Sequence, residues 1–195
     1  MAGSIGQIIP GVSIKIVDPD TLEILPPNHE GMVLATGANV MKGYLDDPEK
    51  TASVIIDGWY ITGDMGKINF ESYVSLTGRL SRFAKIGGEM VPLERLEDEL
   101  HEVLQSSERV CAVTCVPDST RGERILVLFL PSILESFGLD VKTWIKKLSS
   151  RGLPNLWVPS EKDFHPVNEI AVLGSGKLDL ANLKVKAMEI AMVKS

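Results

Sequence analysis

Two motifs place a charged side chain next to glycine, where a turn or loop can present it to a ligand. They are Thr62-Gly63-Asp64 and Gly174-Ser175-Gly176-Lys177. An ionised carboxylate only accepts hydrogen bonds and has two oxygens, so Asp64 suits a ligand with paired donors. The lysine motif is not a phosphate-binding P-loop, because that pattern needs glycine at Ala171 and serine or threonine at Leu178. Each motif also has a structural interpretation, as an aspartate in a turn and as a solvated lysine in a flexible loop.

A hairpin is predicted to bring Asp64 opposite a cation. The strand-like runs 65–70 and 72–77 meet near Glu71-Ser72, so the numbers of paired residues add up to about 143. This register sets Asp64 opposite Arg79. A carboxylate and a guanidinium at the open end of one hairpin could hold a ribose and a phosphate, and they could equally form a plain salt bridge.

The stretch Gly78–Glu94 is predicted to be a pivot between a β-rich half and a mixed half of the chain. Residues 83–86 can form a short strand, and Gly87-Gly88 allow backbone angles that other residues avoid. Pro92 suits the first position of a helix, which leucines at helical spacing then continue. Lys85 lies on the short strand, where it is either a functional cation or an ordinary charged residue of an edge strand.

The residues of this pivot resemble the hinge of the adenylate-forming superfamily, which holds acyl-CoA synthetases, luciferases and peptide-synthetase adenylation domains. Within it, they look most like the acyl-[acyl-carrier-protein] synthetases, the branch joined to a 2-acylglycerophosphoethanolamine acyltransferase. Residues 173–177, followed by Asp179, look like the same branch, and the resemblance covers nearly the whole chain. The matching residues of the pivot are Gly78-Arg79, Arg82-Phe83-Ala84-Lys85-Ile86 and Gly88-Glu89-Met90-Val91.

The resemblance implies a nucleotide site. In the family, the residue matching Asp64 accepts hydrogen bonds from both ribose hydroxyls of ATP, and the residue matching Arg79 also touches the nucleotide. The lysine matching Lys177 contacts the substrate carboxylate and the α-phosphate. Attack of the carboxylate on phosphorus builds up negative charge, which a positioned ammonium stabilises.

The resemblance also implies a mobile lid that turns about the residue matching Ser81 between two half-reactions. The family usually has aspartate or lysine at that hinge, but a small residue can still absorb a backbone rotation. The face of the lid with Lys85 and Gly88 serves the second, thioester-forming step. A glycine beside the pantetheine channel lets a thin prosthetic arm pass close to the main chain.

The reaction implied is an ATP-dependent ligation of a fatty acid to acyl carrier protein, with an acyl-adenylate formed first and a thioester second. Mg²⁺ would assist at the phosphates, and the product could feed reacylation of a lysophospholipid. The partner implied is acyl carrier protein, or coenzyme A. The alternatives are the lid of an acyl-CoA ligase or of an amino-acid-activating domain and, from another class, a non-catalytic module that binds a carrier protein.

Several parts of such an enzyme have no counterpart in the sequence. Nothing in it resembles the family's glycine-, serine- and threonine-rich phosphate loop, its adenine pocket or its acyl pocket. We therefore expect a C-terminal part of a longer enzyme, inactive alone and with no tightly bound cofactor. We expect the longer enzyme to be cytoplasmic, with association at the cytoplasmic face of a membrane left open.

A cationic surface for an acidic carrier protein is a further hypothesis. Lys142, Lys146 and Lys147 fall on one side of a helix predicted over residues 140–150, and Arg82 adds a cation near the hinge. The alternative is an ordinary solvated helix face.

The elements that must position these residues predict an α+β fold. Residues 1–78 are rich in strand and turn signals, and we expect them to form a small distorted β-barrel. The resemblance identifies this barrel as the last subdomain of a larger adenylating domain. Residues 79–195 are expected to form the lid, with helices packed on a three-stranded sheet. The last helix is predicted to begin after Asp179, a residue type that caps helix N-termini.

Composition argues against several other classes of protein. The 195 residues are 44% hydrophobic and 24% charged, as in ordinary soluble proteins. The net charge of −6 disfavours nucleic-acid binding. We find no apolar run near the ~20 residues that span a bilayer, and no signal peptide. Cys111 and Cys115 share a predicted strand, roughly 13 Å apart and too far for a disulfide, so we expect buried free thiols and no metal site.

Overall fold

The computed structural model describes residues 3–106 and 108–193. The chain divides into two compact units, Met1–Ser81 and Arg82–Ser195. Each unit has its own β-sheet, and helices accompany both sheets, which confirms the α+β class. Within the described ranges, no helix combines the length and the apolar character needed to cross a bilayer.

The first unit is formed by short strands and one helix, which are β1 (Gly6–Gln7), β2 (Val12–Val17), β3 (Gly31–Gly37), α1 (Pro48–Val54), β4 (Ile55–Ile56), β5 (Trp59–Ile68) and β6 (Tyr73–Arg79). The strands follow one another in the order β1, β6, β5, β3 and β2, with β4 on β5, and all neighbours are antiparallel. Strand β3 supplies much of the core, because Met32, Val33 and Leu34 are all buried. The predicted barrel is wrong in one respect. The sheet is open, since no pairing between described residues joins its outer strands β1 and β2.

The β5–β6 hairpin has the predicted partners at its open end. Asp64 pairs with Arg79, and Met65 with Gly78, before the register shifts by one residue at Gly66. The turn contains Ser72 at φ 62°, a left-handed conformation that costs little only for glycine. The predicted register is therefore confirmed at Asp64, while a β-bulge absorbs a one-residue difference nearer the turn.

The second unit contains β7 (Phe83–Ile86), β8 (Glu89–Pro92), α2 (Leu93–Leu104), β9 (Cys111–Asp118), β10 (Gly122–Phe129), α3 (Pro131–Ser136), α4 (Val141–Ser149), β11 (Phe164–Pro166) and α5 (Leu180–Val193). Strand β10 is central, antiparallel to β9 and parallel to β11. The sheet has five strands rather than the predicted three. The β7–β8 hairpin joins β10 through the pairing of Ile86 with Gly122.

Alternation along the central strands gives this sheet two buried faces. On β10, Val127 faces the layer that contains α2 and α4, whereas Leu126 and Leu128 face α5. Trp144 of α4 is fully buried, and its Nε1–H donates to the carbonyl oxygen of Leu100 at 3.0 Å. The sheet of the second unit is thus held between helices on both sides.

Side-chain caps fix where two helices of the second unit begin. Asp140 accepts a hydrogen bond from the main-chain N–H of Thr143 at 2.7 Å, at the start of α4. Asp179 accepts one from the N–H of Asn182 at 3.0 Å, at the start of α5. Asp179 caps α5 as predicted, and Asp140 lies at the start of the helix predicted over residues 140–150. A short acidic side chain satisfies N–H groups that the first helical turn leaves open.

The two cysteines are buried free thiols, as predicted. Burial raises the pKa of Cys111 well above its ordinary value. Burial and the neighbouring Glu123 raise the pKa of Cys115 to about 12. Both side chains therefore stay protonated at neutral pH and act as packing groups rather than as nucleophiles.

Candidate active site

Asp64 and Arg79 form an ion pair at the open end of the β5–β6 hairpin. Arg79 Nε lies 2.9 Å from Asp64 Oδ1, and Arg79 Nη1 donates to the carbonyl oxygen of Thr62 at 3.2 Å. The Arg79 side chain is 62% exposed and that of Asp64 is 24% exposed. An ion pair this open adds little to stability, and both groups can be reached by a ligand.

The local backbone holds the Asp64 carboxylate in place. Thr62 Oγ1 donates to the carbonyl oxygen of Val33 at 2.8 Å and accepts the Asp64 N–H at 3.0 Å. Between them, Gly63 has φ 74°, which a side chain at this position would strain. The Thr62-Gly63-Asp64 motif is therefore a fixed kink within a strand, and it aims the acceptor oxygens of Asp64 toward Arg79.

Tyr60 belongs to this neighbourhood, although the sequence analysis did not select it. Partial burial raises its pKa, and so does the adjacent Tyr44, while the charge of Arg79 lowers it and that of Asp64 raises it. Tyr60 precedes Asp64 by four residues on β5. This even spacing was the signal in the sequence that could have linked Tyr60 to Asp64, because side chains alternate between the two faces of a strand. The Tyr60 hydroxyl is thus electrostatically coupled to the ion pair.

Lys177 is presented by a tight turn. Val172 and Leu178 form a β-bridge, and within the turn the Leu173 N–H donates to the Lys177 carbonyl oxygen at 2.7 Å. Gly176 adopts φ 79°, which the turn requires. The Lys177 side chain is exposed, and the Asp179 cap of α5 follows directly. The ammonium is thus held on a short, defined loop and is not enclosed in the hydrophobic interior.

Lys85 lies on β7, and Gly88 lies in the turn that joins β7 to β8. Lys85 is exposed and pairs with Met90 across the hairpin. Gly87 and Gly88 have φ 59° and 89°, and a Cβ at either position would meet no atom within 4 Å. Backbone conformation therefore explains these glycines, and the open space beside Gly88 suits the close passage of a thin ligand.

Ser81, the predicted hinge residue, lies in a 3-10 turn, Leu80–Arg82, and is the last residue of the first unit. The prediction that Arg82 contributes to a docking surface is contradicted by its burial. Its Nη2 lies 2.9 Å from Glu97 Oε2, and its Nη1 donates to the carbonyl oxygen of Val113 at 2.8 Å. The Arg82 guanidinium can be buried because the Glu97 carboxylate and the Val113 carbonyl oxygen both accept hydrogen bonds from it.

The lysines of α4 differ in their surroundings. Lys142 Nζ lies 3.9 Å from Glu161 Oε2, and both side chains are mostly exposed. Lys146 and Lys147 are also exposed, and the described residues place no ion-pair partner beside either. At the end of the helix, Arg151 pairs with Glu99 and Glu102. The cationic face of α4 is therefore concentrated at Lys146 and Lys147.

Each unit therefore contains some of the site residues predicted from the sequence. In the first unit, Asp64 and Arg79 are in direct contact. In the second, one hairpin carries Lys85 and Gly88, and a separate turn carries Lys177. The arrangement offers one acceptor–cation pair suited to polyhydroxyl and phosphate groups and two exposed amines on different loops.

This chain is similar to known proteins in both sequence and structure. The AMP-binding enzyme family matches residues 1–45. A 4-coumarate–CoA ligase-like protein of Oryza sativa subsp. japonica is 40% identical over 124 residues, which are 62% of this chain and 20% of that protein. A long-chain-fatty-acid–CoA ligase of Bacillus subtilis is 37% identical over 123 residues, 63% of this chain and 22% of that protein.

The crystal structure of ATP-bound MatB from Rhodopseudomonas palustris matches with a TM-score of 0.72 and 30% identity, over 96% of this chain and 36% of MatB. These findings support a relationship between this chain and the AMP-binding enzyme superfamily. The chain spans between a fifth and about a third of the length of these relatives. The similarity to MatB extends over both units of this chain.

Proposed function

We propose that this chain is the C-terminal portion of an adenylate-forming acid–thiol ligase of the acyl-CoA type, with residues 1–78 as the last part of its adenylating domain and residues 79–195 as its lid. The observation that carries the proposal is the Asp64–Arg79 pair, held outward by the kink at Gly63. The ATP-bound state named for MatB supports a nucleotide as its ligand.

In the first half-reaction, Asp64 accepts hydrogen bonds from the two ribose hydroxyls of ATP. Arg79 turns its guanidinium toward phosphate, which costs little because its pair with Asp64 is exposed. Lys177 brings its ammonium to the carboxylate and α-phosphate, where negative charge develops. No cluster of acidic or histidine side chains that could hold a metal occurs in the described part of the chain. We therefore assign none of its residues to the Mg²⁺ that would accompany ATP.

In the second half-reaction, the β7–β8 hairpin serves the thiol. Gly88 lines the path of a pantetheine arm, and Lys85 supplies a cation beside it. Rotation at Ser81 exchanges the Lys177 loop for this hairpin. The relatives named as CoA ligases favour coenzyme A as the acceptor of the acyl group and a fatty or aromatic acid as its donor.

A carrier protein is the second candidate acceptor, and the exposed pair Lys146 and Lys147 favours it. An acidic partner would neutralise two cations that have no ion-pair partner among the described residues. The narrower proposal is the acyl-[acyl-carrier-protein] synthetase branch that is linked to lysophospholipid reacylation. It rests on the motifs Arg82–Ile86 and Gly88–Val91.

The experiment that tests the proposal uses the full-length protein containing these residues. Pyrophosphate exchange with a panel of fatty and aromatic acids tests adenylation, and thioester formation on coenzyme A and on acyl carrier protein identifies the acceptor. We expect acid-dependent exchange and transfer to coenzyme A. Preference for the carrier protein, abolished by Lys146→Glu with Lys147→Glu, would select the second candidate. Absence of exchange with every acid would refute the ligase.

Asp64→Asn is expected to raise the KM for ATP by about tenfold or more. The amide keeps the shape of the side chain but loses the charge and one acceptor, and a hydrogen bond to a charged group is worth about 1.5–3 kcal/mol. Pyrophosphate exchange at varied ATP concentration measures this effect. Glu71→Gln is the matched control, since Glu71 is exposed in the turn of the same hairpin. Equal KM values for Asp64→Asn and the control would exclude a ribose contact.

A further inference from the structure

The β7–β8 hairpin, which carries Lys85 and Gly88, has few bonds to the rest of its sheet. Its β-ladder pairing to β10 consists of Ile86 with Gly122. A hairpin of two short strands has little stability by itself. Its Ala84, Ile86 and Val91 are buried in the core of the second unit, and polar contacts additional to the regular ladder hold the end of the hairpin that carries Lys85 and Gly88.

The segment Arg121-Gly122-Glu123 supplies those contacts at three successive residues. The Gly87 N–H donates to the carbonyl oxygen of Arg121 at 2.8 Å, and the Lys85 N–H donates to Glu123 Oε2 at 2.6 Å. Between them, Gly122 has φ 83°, and a Cβ there would stand 3.3 Å from the Lys85 carbonyl oxygen. We call Arg121–Glu123 the clamp segment.

The clamp segment is itself held from two sides. Asp118 Oδ1 accepts the N–H groups of Thr120 at 2.9 Å and of Arg121 at 3.0 Å, which fixes the turn before the segment. Glu123 Oε1 accepts a hydrogen bond from Cys115 Sγ–H at 3.3 Å. Both carboxylate oxygens of Glu123 are thus engaged, one by the body of the lid and one by the main chain of Lys85.

We propose that Glu123 is a positioning residue for the thioester-forming step, because it joins the main chain of Lys85 to β9 and β10. This inference rests on the proposed function, in which the hairpin presents Lys85 and Gly88 to the pantetheine thiol. Adenylation depends on the separate Lys177 turn. The clamp segment therefore acts in one half-reaction and not in the other.

The test separates the half-reactions in the full-length protein. In Glu123→Ala, pyrophosphate exchange is expected to stay within about twofold of wild type, while kcat for acyl transfer from preformed acyl-adenylate to coenzyme A falls about tenfold, the scale of one lost charged hydrogen bond. Glu123→Gln keeps an acceptor for the Lys85 N–H and is expected to restore most of the transfer rate. Arg124→Ala is the matched control, since it removes a contact to Asp163 from the same strand without touching the hairpin.

Each outcome decides the inference. Equal losses in both half-reactions, or an unchanged transfer rate, would overturn it while leaving the ligase intact. A wild-type protein without pyrophosphate exchange would overturn the proposed function and this inference together. If Glu123→Ala does not fold, Gly122→Ala takes its place, because its methyl group would press on the Lys85 carbonyl oxygen. Gly122→Ala must then show the same selective loss of transfer, and its absence would overturn the inference.

Discussion

Lys177→Ala in the full-length protein is expected to lower kcat for acid-dependent pyrophosphate exchange by about 100- to 1,000-fold, the loss typical of removing one positioned donor from a developing anion. Lys177 is exposed on a turn fixed by the Val172–Leu178 bridge, so its removal leaves no cavity and little change in stability. The acyl transfer from preformed acyl-adenylate should remain near the wild-type rate. Measuring both rates on one preparation checks the prediction.

Lys184→Ala is the matched control for Lys177→Ala. Lys184 is an exposed lysine on α5, seven residues further along the chain, and it has no part in the proposed chemistry. Full pyrophosphate exchange in this variant would show that the loss is specific to the turn. Retained exchange in Lys177→Ala would instead favour a non-catalytic module that binds a partner through the lid surface.

Local signals in the sequence predicted the features that depend on neighbouring residues. The hairpin turn near Ser72 set the register that places Asp64 opposite Arg79, and the capping residues Asp140 and Asp179 marked two helix starts. Each of these features is decided within about twenty residues of chain. The bulge at Gly66 takes up a one-residue difference in register between the turn and the open end of the hairpin.

Features that depend on distant elements were not predictable in the same way. A closed barrel would have required β1 to pair with β2, and in the structure they are the outer strands of an open sheet. The sequence of neither strand indicates which strand it pairs with. The β7–β8 hairpin extends the sheet of the second unit through the pairing of Ile86 with Gly122, which no periodicity reveals. Glu123 was missed for the same reason, since its contact with the Lys85 N–H joins residues 38 positions apart.

Arg82 illustrates why charge alone misled the sequence analysis. A cation next to a hinge is usually solvated, and burial becomes favourable only when partners satisfy it. Those partners are Glu97 on α2 and the carbonyl oxygen of Val113 on β9. The helical spacing of α2 places Glu97 next to the buried Leu96 and Leu100, so only the assembled unit shows that its carboxylate faces inward.

Glu97 is the centre of a buried polar network in the second unit. Its Oε2 accepts hydrogen bonds from Arg82 Nη2 at 2.9 Å and from the Val113 N–H at 2.8 Å, and its Oε1 accepts one from Arg109 Nη1 at 2.8 Å. The side chains of Glu97 and Arg82 are each only 8% exposed. The network joins α2, β9 and Arg82, the first residue of the second unit.

Glu97→Ala is expected to destabilise the second unit by about 3–5 kcal/mol, because it leaves the Arg82 guanidinium buried without its counter-charge and the Val113 N–H without an acceptor. Hydrogen exchange of the β9 and β10 amides measures this loss without assuming that both units unfold together. Asp98→Ala is the matched control, since Asp98 is the exposed next residue of α2, and its effect should stay within about 0.5 kcal/mol. The double variant Arg82→Met with Glu97→Leu removes both charges and should recover much of the loss. Equal protection in Glu97→Ala and Asp98→Ala would show that hydrophobic packing alone holds α2 against the sheet.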